Sequence, residues 1–399
     1  MKKVVLAYSG GLDTTCCIKW FVDRGFEVVC FMADLGQSCT RTVQGQQHDF
    51  APAKKRAKIA GASKIYIKDL KQEFIKDFIL PALKANAVYE EKYTLATALG
   101  RPLIAKYLVD VAHKEKARYI AHGCTGKGND QVRIEVSSMI LDPKLKIIAP
   151  LRIWEFKTRE EEIKYLAKHK IPIDVTKKKV YSIDENLWGI SIECGVLEDP
   201  WVEPPDDAYR MTASLKKAKS GPAYLTIGFQ SGIPVELNGK KYPALDLIKK
   251  LNAIAGSFGI GRTDLVENRL IGIKSREIYE APAAHILIAA HKDIESLVLD
   301  RNTAHKKQKV ALYYADIIYY GLWYTPQKEK LDSFINETQK KVTGTVRFKL
   351  YKGGFSCVGR KSPYSLYKKE LATYGKGDKF DHSKDEGFIK NWAKPYIKA

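Results

Sequence analysis

Apolar runs alternate with amphipathic stretches over the first 170 residues or so of the chain. Val4–Tyr8 is a short apolar run of the kind that forms a strand buried on both faces. A helical pattern over Thr14–Arg24 follows at once and is ended by Gly25. Phe26–Ala33 predicts a second strand, Asp49 caps a helix to about Ala60, and Lys64–Ile67 predicts a third strand. Helices are expected over Glu73–Leu83 and Pro102–Lys116, a strand over Arg118–His122, a helix over Asp130–Leu141 and a strand over Lys146–Ala149. Thr158 with Glu161 is a capping-box pattern that opens a helix to about His169. Repeated β-α-β units imply a parallel, Rossmann-like sheet with helices on both faces, whose ligands collect beyond the strand C-termini.

From about Ile171 the pattern changes. Pro and Gly become denser, and strand-like runs (Ala223–Phe229, Val235–Leu237, Val342–Tyr351, Phe355–Val358) mix with helical ones (Ala244–Ala255, Ala304–Tyr319). The expectation is α/β throughout: a nucleotide-binding domain over 1–170, an α+β domain over 171–360, and an arm over 361–399. The arm is rich in Lys, Gly, Asp and Tyr, too poor in apolar residues for a core of its own, and is expected to wrap a neighbouring subunit.

Composition changes this picture little. Of 399 residues 45% are hydrophobic and 28% charged, which excludes a largely disordered chain. The net charge of +21 admits a polyanion partner, but the lysines are spread along the chain in short clusters such as Lys306-Lys307, with no basic tail. A solvated surface is the simpler reading. Seven cysteines form no C-x-x-C pair or zinc spacing, as expected of reduced thiols in the cytoplasm. The apolar start is too short for a signal-peptide core.

Two glycine-rich turns fall at the strand C-termini. In Ser9-Gly10-Gly11-Leu12-Asp13-Thr14-Thr15 a helix N-terminus presents unpaired N–H groups, glycines let the backbone curl round an anion, and hydroxyls add donors. It is neither a G-x-x-x-x-G-K-[ST] loop nor a G-x-G-x-x-G turn. Asp13 would repel bare phosphate, so a bound Mg²⁺ or a second role is implied. A plain strand-to-helix turn is the bland alternative; its position directly after an apolar strand favours phosphate. The second turn, "AHGCTGKGNDQVRIE" (Ala121–Glu135), carries Gly123, Gly126 and Gly128. Its Thr125, Asn129, Asp130 and Arg133 offer donors for a carboxylate and an acceptor for an ammonium, with Asn129 and Arg133 on one helix face.

The first turn resembles the PP-loop of the ATP pyrophosphatases, which cleave ATP to AMP and pyrophosphate. The second resembles the H-G-x-T-G-K-G-N-D-Q-V-R motif of the argininosuccinate synthase family. "YSIDENLWGISIECGVLEDP" (181–200), "GRTDLVENRLIGIKSREIYEAP" (261–282) and "GRKSPYSLYKKELATY" (359–374) resemble further segments of that family. The resemblance implies a ligase of arginine biosynthesis and the urea cycle that joins citrulline to aspartate through citrullyl-AMP, using MgATP. Carried over by position, Ala7, Tyr8, Ser9, Gly10, Gly11, Leu12, Asp13, Thr14, Thr15, Ala33 and Gly123 should bind ATP. Thr125, Asn129 and Asp130 should bind aspartate. Tyr93, Asn129, Arg133, Ser182, Ser191, Glu267 and Tyr279 should bind citrulline. The Mg²⁺ should be held through the ATP phosphates, with no protein ligand identified. A homotetramer is implied, with neither membrane nor nucleic acid as partner. No general base is secured; Asp13 and Asp130 are the candidates, and His122 reads as structural.

Several positions depart from the family pattern. Ala98 stands where some members have Ser, leaving Thr97 as a possible substitute hydroxyl. Ala281, Ala284 and His285 replace Thr, Gly and Thr. Glu277 stands where Gly is usual, and the loop Ser38–Gln47 is longer. The main rival function is a PP-loop enzyme that thiolates tRNA. It would need a reactive cysteine pair, whereas Cys16 and Cys17 are adjacent inside the first helix and face different directions.

Overall fold

The computed structural model describes residues 2–37, 49–172 and 181–397, so the loop Ser38–Gln47 lies outside the described residues. β1 (Lys2–Ala7), α1 (Leu12–Asp23), β2 (Phe26–Asp34), α2 (Ala51–Ile59) and β3 (Lys64–Asp69) open the fold. There follow α3 (Lys71–Phe74), a π-helical turn over Ile75–Ile79, α4 (Leu80–Ala85), α5 (Ala96–Lys114), β4 (Tyr119–His122), α6 (Asp130–Leu141), β5 (Lys146–Ile148) and α7 (Arg159–Lys168). The strands pair in parallel in the order β3-β2-β1-β4-β5. Val4, Val5, Leu6, Val28, Val29 and Cys30 have no solvent exposure, as strands covered on both faces require. Connections leave β1 and β4 in opposite senses, so the crevice of this sheet lies above that pair.

Two helices differ from the pattern-based expectation. α5 begins at Ala96, six residues before Pro102, which lies inside it. Its first turn is satisfied from outside, because Tyr93 Oη accepts the N–H groups of Thr97 at 3.1 Å and Ala98 at 3.2 Å. The helix expected over Glu73–Leu83 is interrupted by the π turn just before Pro81. A proline nitrogen cannot donate to the preceding turn, and the wider turn absorbs the defect.

The second half runs β6 (Ser182–Asn186), β7 (Gly189–Glu193), β8 (Ala223–Gln230), β9 (Ile233–Leu237), β10 (Lys240–Lys241), α8 (Ala244–Ser257), β11 (Arg262–Asn268) and β12 (Lys274–Glu280). It continues through α9 (Pro282–Val298), α10 (Arg301–Tyr319), α11 (Pro326–Gln339), β13 (Gly344–Tyr351) and β14 (Gly354–Lys361). Two antiparallel sheets result, β10-β9-β8-β13-β14 and β11-β12-β7-β6. Strand alternation makes the four-stranded sheet two-faced. Ile190, Ile192 and Ile278 bury one face against Leu197 and Ala208, while the other carries the polar residues of the site.

Lys307, read from sequence as part of a surface cluster, is 2% exposed. It pairs with Glu295 at 2.9 Å, since a buried ammonium needs a counter-charge. Six cysteines among the described residues are free thiols. No helix among the described residues is long and apolar enough to cross a membrane.

Fully buried Glu280 ties the loop before β8 to β12. Its carboxylate accepts the N–H groups of Arg210 (2.6 Å), Met211 (3.0 Å) and Thr212 (2.8 Å) and the Thr212 hydroxyl (2.6 Å). Glu280→Ala strands these donors, and chemical denaturation should register a loss of about 3 kcal/mol; a loss below about 1 kcal/mol would contradict this anchoring role.

Candidate active site

The first turn is built by its glycines and hydroxyls. Gly10 has φ +81°, and a Cβ there would lie 2.8 Å from Ala53 Cβ of α2, so the turn and that helix pack only with glycine. Ser9 Oγ accepts the Gly11 N–H at 3.3 Å and contacts Thr14 Oγ1 at 3.1 Å. Thr15 Oγ1 donates to Gly11 O at 2.7 Å, and Arg56 of α2 donates to Gly10 O. Tyr8 is buried, with its hydroxyl donating to Ala53 O at 3.2 Å. Leu12 and Asp13 begin α1, and its N-cap residue, Gly11, has no side chain to cap the first turn. The free N–H groups at that end are available to an anion.

The second turn emerges from the neighbouring strand. Ala7 pairs with His122, so Tyr8 and Gly123 leave the sheet side by side. A Cβ on Gly123 would fall 2.7 Å from Thr14 Cγ2: the two turns are in contact. His122 is buried. Its Nδ1 accepts the Cys124 N–H at 3.2 Å, which leaves Nε2–H to donate to Glu135 at 2.9 Å.

Beyond the turn, Asn129 Nδ2 donates to Tyr319 Oη at 2.7 Å, and its Oδ1 accepts the Leu270 N–H at 2.9 Å. Asp130 is gripped by Arg101 at 2.6 Å and Arg133 at 2.9 Å. Burial works against its ionised form, but the two guanidinium groups win and hold it down to about 2. Arg133, 5% exposed, also donates from Nε to Tyr319 O at 2.9 Å.

The polar face of the four-stranded sheet meets this turn. Strand register sets Ser182 opposite Glu193, Asp184 opposite Ser191, Ser191 opposite Tyr279 and Leu265 opposite Glu277. Buried Glu267 accepts the hydroxyls of Tyr279 at 2.6 Å and Tyr319 at 2.8 Å, and burial pushes its pKa up against those bonds and Arg133. Tyr93 stacks on Tyr279 with ring centroids 4.1 Å apart.

Tyr93, Asn129, Arg133, Ser191, Glu267 and Tyr279 therefore form one connected cluster, with Asp130 attached through Arg133. Ser182 lies further out on β6 and is exposed, as is Thr125 at the tip of the second turn. Ala33 is at the end of β2, with its carbonyl accepting Gln37 Nε2–H at 3.1 Å. Sequence reasoning missed Arg101, which joins Asp130 to Asp184, and Tyr319, which joins Asn129 to Glu267. It also missed Arg269, which holds Glu193 and Glu277 and donates to Lys127 O at 3.0 Å. Arg269 alone carried a signal, since it sits inside the quoted V-E-N-R segment. Glu162 was missed too: burial and the facing Asp13 carboxylate push its pKa up to about 8.

The model of the arginosuccinate synthase N-terminal HUP domain matches residues 3–172, and that of the C-terminal domain of the same enzymes matches 181–398. The argininosuccinate synthase of Pelodictyon phaeoclathratiforme is 54% identical over 389 residues, covering 97% of this chain and 95% of its own. That of Geobacillus thermodenitrificans is 54% identical over 393 residues, covering 98% and 94%. The chain belongs to the argininosuccinate synthase family. A 4-thiouridine synthetase crystallised with RNA and ATP shares 16% identity over 42% of this chain and 40% of its own, with a TM-score of 0.30, a likeness too slight to bear on function.

Ala98 is fully buried, and the neighbouring Thr97 hydroxyl lies 2.9 Å from Ser191 Oγ. Ala281, Ala284 and His285 leave an ordered helix start. His285 Nδ1 lies 2.9 Å from Ala281 O and Nε2 lies 3.1 Å from Thr263 Oγ1.

The contact between turns gives a reciprocal test. Gly123→Ala should weaken ATP binding roughly tenfold or more by pushing Thr14 out of place. Thr14→Ser, which removes the clashing methyl and keeps the hydroxyl, should be near neutral alone and restore most of the affinity in the double variant. Equilibrium nucleotide titrations would read this; independent, additive losses would contradict it.

Proposed function

We propose that the chain catalyses ATP-dependent condensation of citrulline with aspartate, giving argininosuccinate, AMP and pyrophosphate. The observation that carries this reading is the contact of Gly123 with Thr14. It sets a phosphate-shaped turn against one whose side chains suit zwitterions. Family membership supplies the substrates' names.

On this reading Ser9, Gly10, Gly11, Leu12, Asp13, Thr14 and Thr15 wrap the phosphates, with Ala7 and Tyr8 beneath, Gly123 beside them and Ala33 toward the adenine. Arg133 takes the citrulline carboxylate with Tyr93 and Asn129 beside it. Glu267 takes its ammonium, with Ser182, Ser191 and Tyr279 on the same sheet face. The ureido oxygen attacks the α-phosphorus and pyrophosphate leaves. The amine of aspartate, held by Thr125, Asn129 and Asp130, then forms the new C–N bond and displaces AMP. Catalysis is chiefly positioning and charge stabilisation. Asp130, fixed as an anion by two arginines, acts as an electrostatic holder and is a poor proton acceptor.

Among the described residues no group of three or more His, Cys, Asp or Glu side chains could hold a metal. A Mg²⁺ that arrives on the nucleotide phosphates, with Asp13 as its one nearby loop carboxylate, fits that donor set. When bound, it would neutralise the departing pyrophosphate. Cys16 and Cys17 are fully buried thiols whose pKa values burial pushes up, which weighs against a thiolating enzyme.

A cytoplasmic homotetramer completes the proposal. The terminal stretch exposes Tyr374 fully, Tyr396 at 78%, Phe388 at 63% and Trp392 at 59%, more aromatic surface than a free tail would leave to water. Ending the chain at Ser362, which spares β14, should lower the mass measured by light scattering from tetramer to smaller species; an unchanged mass would remove the arm from assembly.

The reaction is tested by incubating protein with ATP, citrulline and aspartate, omitting each in turn, and measuring AMP and pyrophosphate. AMP release that needs RNA, or none at all, would overturn the proposal. Asp130→Asn, which keeps shape but not charge, should cut aspartate-dependent turnover about 100-fold or more. Citrulline-dependent exchange of pyrophosphate into ATP should persist. Loss of exchange with aspartate affinity intact would reassign Asp130.

A further inference from the structure

Tyr279 has one hydroxyl hydrogen and two carboxylate neighbours. Its Oη lies 2.6 Å from Glu267 Oε2 and 3.0 Å from Glu277 Oε2. One hydrogen serves one well-aligned acceptor, so the second contact needs a hydrogen of its own, carried by a carboxyl group. Glu267 already accepts from Tyr279 and also from Tyr319 at 2.8 Å. The extra proton therefore belongs on Glu277, which donates to Tyr279 while Tyr279 donates to Glu267.

The charge balance points the same way. Glu193, Glu267 and Glu277 surround Arg269, which contacts Glu193, reaches Glu277 Oε1 at 2.7 Å and lies 3.9 Å from Glu267. The other cation facing the cluster, Arg133, is engaged by Asp130. Three carboxylates share one committed guanidinium, and one of them is more stable neutral. Burial first, then Glu267 and Glu193, push Glu277 up to about 8 against Arg269. Tyr93, Tyr279 and Tyr319 face the same space, and burial pushes all three further up, so they keep their protons.

We propose that Glu277 is a positioning residue that releases its proton when the substrate's ammonium docks on Glu267, adding a second carboxylate to the grip on that ammonium. The inference rests on the reading of this sheet face as the citrulline site. The step balances simply: the Glu277 O–H bond breaks, the proton goes to solvent, and the carboxylate stays with Arg269 and the ammonium.

The test is calorimetric titration of the full-length protein with citrulline at pH 7.0, in two buffers of widely different protonation heat. Wild type should release close to one proton, about 0.9, per citrulline bound. Glu277→Gln and Glu277→Gly should release none. Because the bound form favours the ionised carboxyl, wild-type affinity should rise roughly 25-fold from pH 6.5 to 8.5, while both variants stay flat. Citrulline binding with buffer-independent heat in wild type, or the same proton release from either variant, would overturn the coupling alone. Citrulline failing to bind wild type at all would overturn the site reading and the coupling with it. The wild-type comparison stands even if a variant does not fold.

Discussion

The parallel pairing of β1 with β4 is the constraint on which the rest depends. With Ala7 set opposite His122, the next residue of each strand opens a turn, and the two turns must share one small volume. They fit because position 123 lacks a side chain. Everything that follows in sequence is placed by this step: α1 aims its unpaired N–H groups into the crevice, and α6 presents Asp130 and Arg133 one turn away. The second half of the chain is tied to the same spot. Arg269 donates to Lys127 O, and the Leu270 N–H donates to Asn129 Oδ1, so the loop between β11 and β12 is fastened to the second turn. A nucleotide cradle on one sheet and a polar face on another thereby become walls of one site.

Two arginines inside this region each hold two carboxylates, Arg101 with Asp130 and Asp184 and Arg269 with Glu193 and Glu277, while Arg133 holds Asp130. Buried ion networks are weak sources of stability, because desolvation offsets most of the Coulomb gain. Their use here is better understood as orientation. A zwitterion needs a fixed cation and a fixed anion a few ångströms apart, and a guanidinium shared between carboxylates cannot swing away.

What was legible in the sequence follows from the same physics. The inner strands β1, β2 and β4 are apolar runs because helices cover both their faces, and they were readable within a residue or two. The helix over Asp130–Leu141 was readable to the residue. The four-stranded sheet was not. Ser182–Asn186, Arg262–Asn268 and Lys274–Glu280 carry polar and charged residues on both faces, so no apolar alternation marks them, and such strands look like loops. The start of α5 was hidden because its cap is a tyrosine hydroxyl from outside the helix. Among site residues, those in the two glycine turns were chemically legible. The candidates Ser191, Glu267 and Tyr279 came only with the family resemblance, since each is placed by a register that no local pattern encodes. Arg101 and Tyr319 act through partners 29 and 190 residues away, beyond any spacing argument.

The missing general base is itself informative. Asp130 of the second turn is held ionised by two arginines, and His122, beside the turns, is spent on a backbone N–H and Glu135. A site built to abstract protons would expose a carboxylate or imidazole whose two protonation states lie close in energy at neutral pH. Glu277, among the described residues, is pushed up to about 8 and lies beside Glu267 on the polar sheet face rather than at the first turn. On the proposed reading, the proton ambivalence of this site belongs to substrate capture, and the chemical step is left to the leaving-group strength that ATP confers on the ureido oxygen.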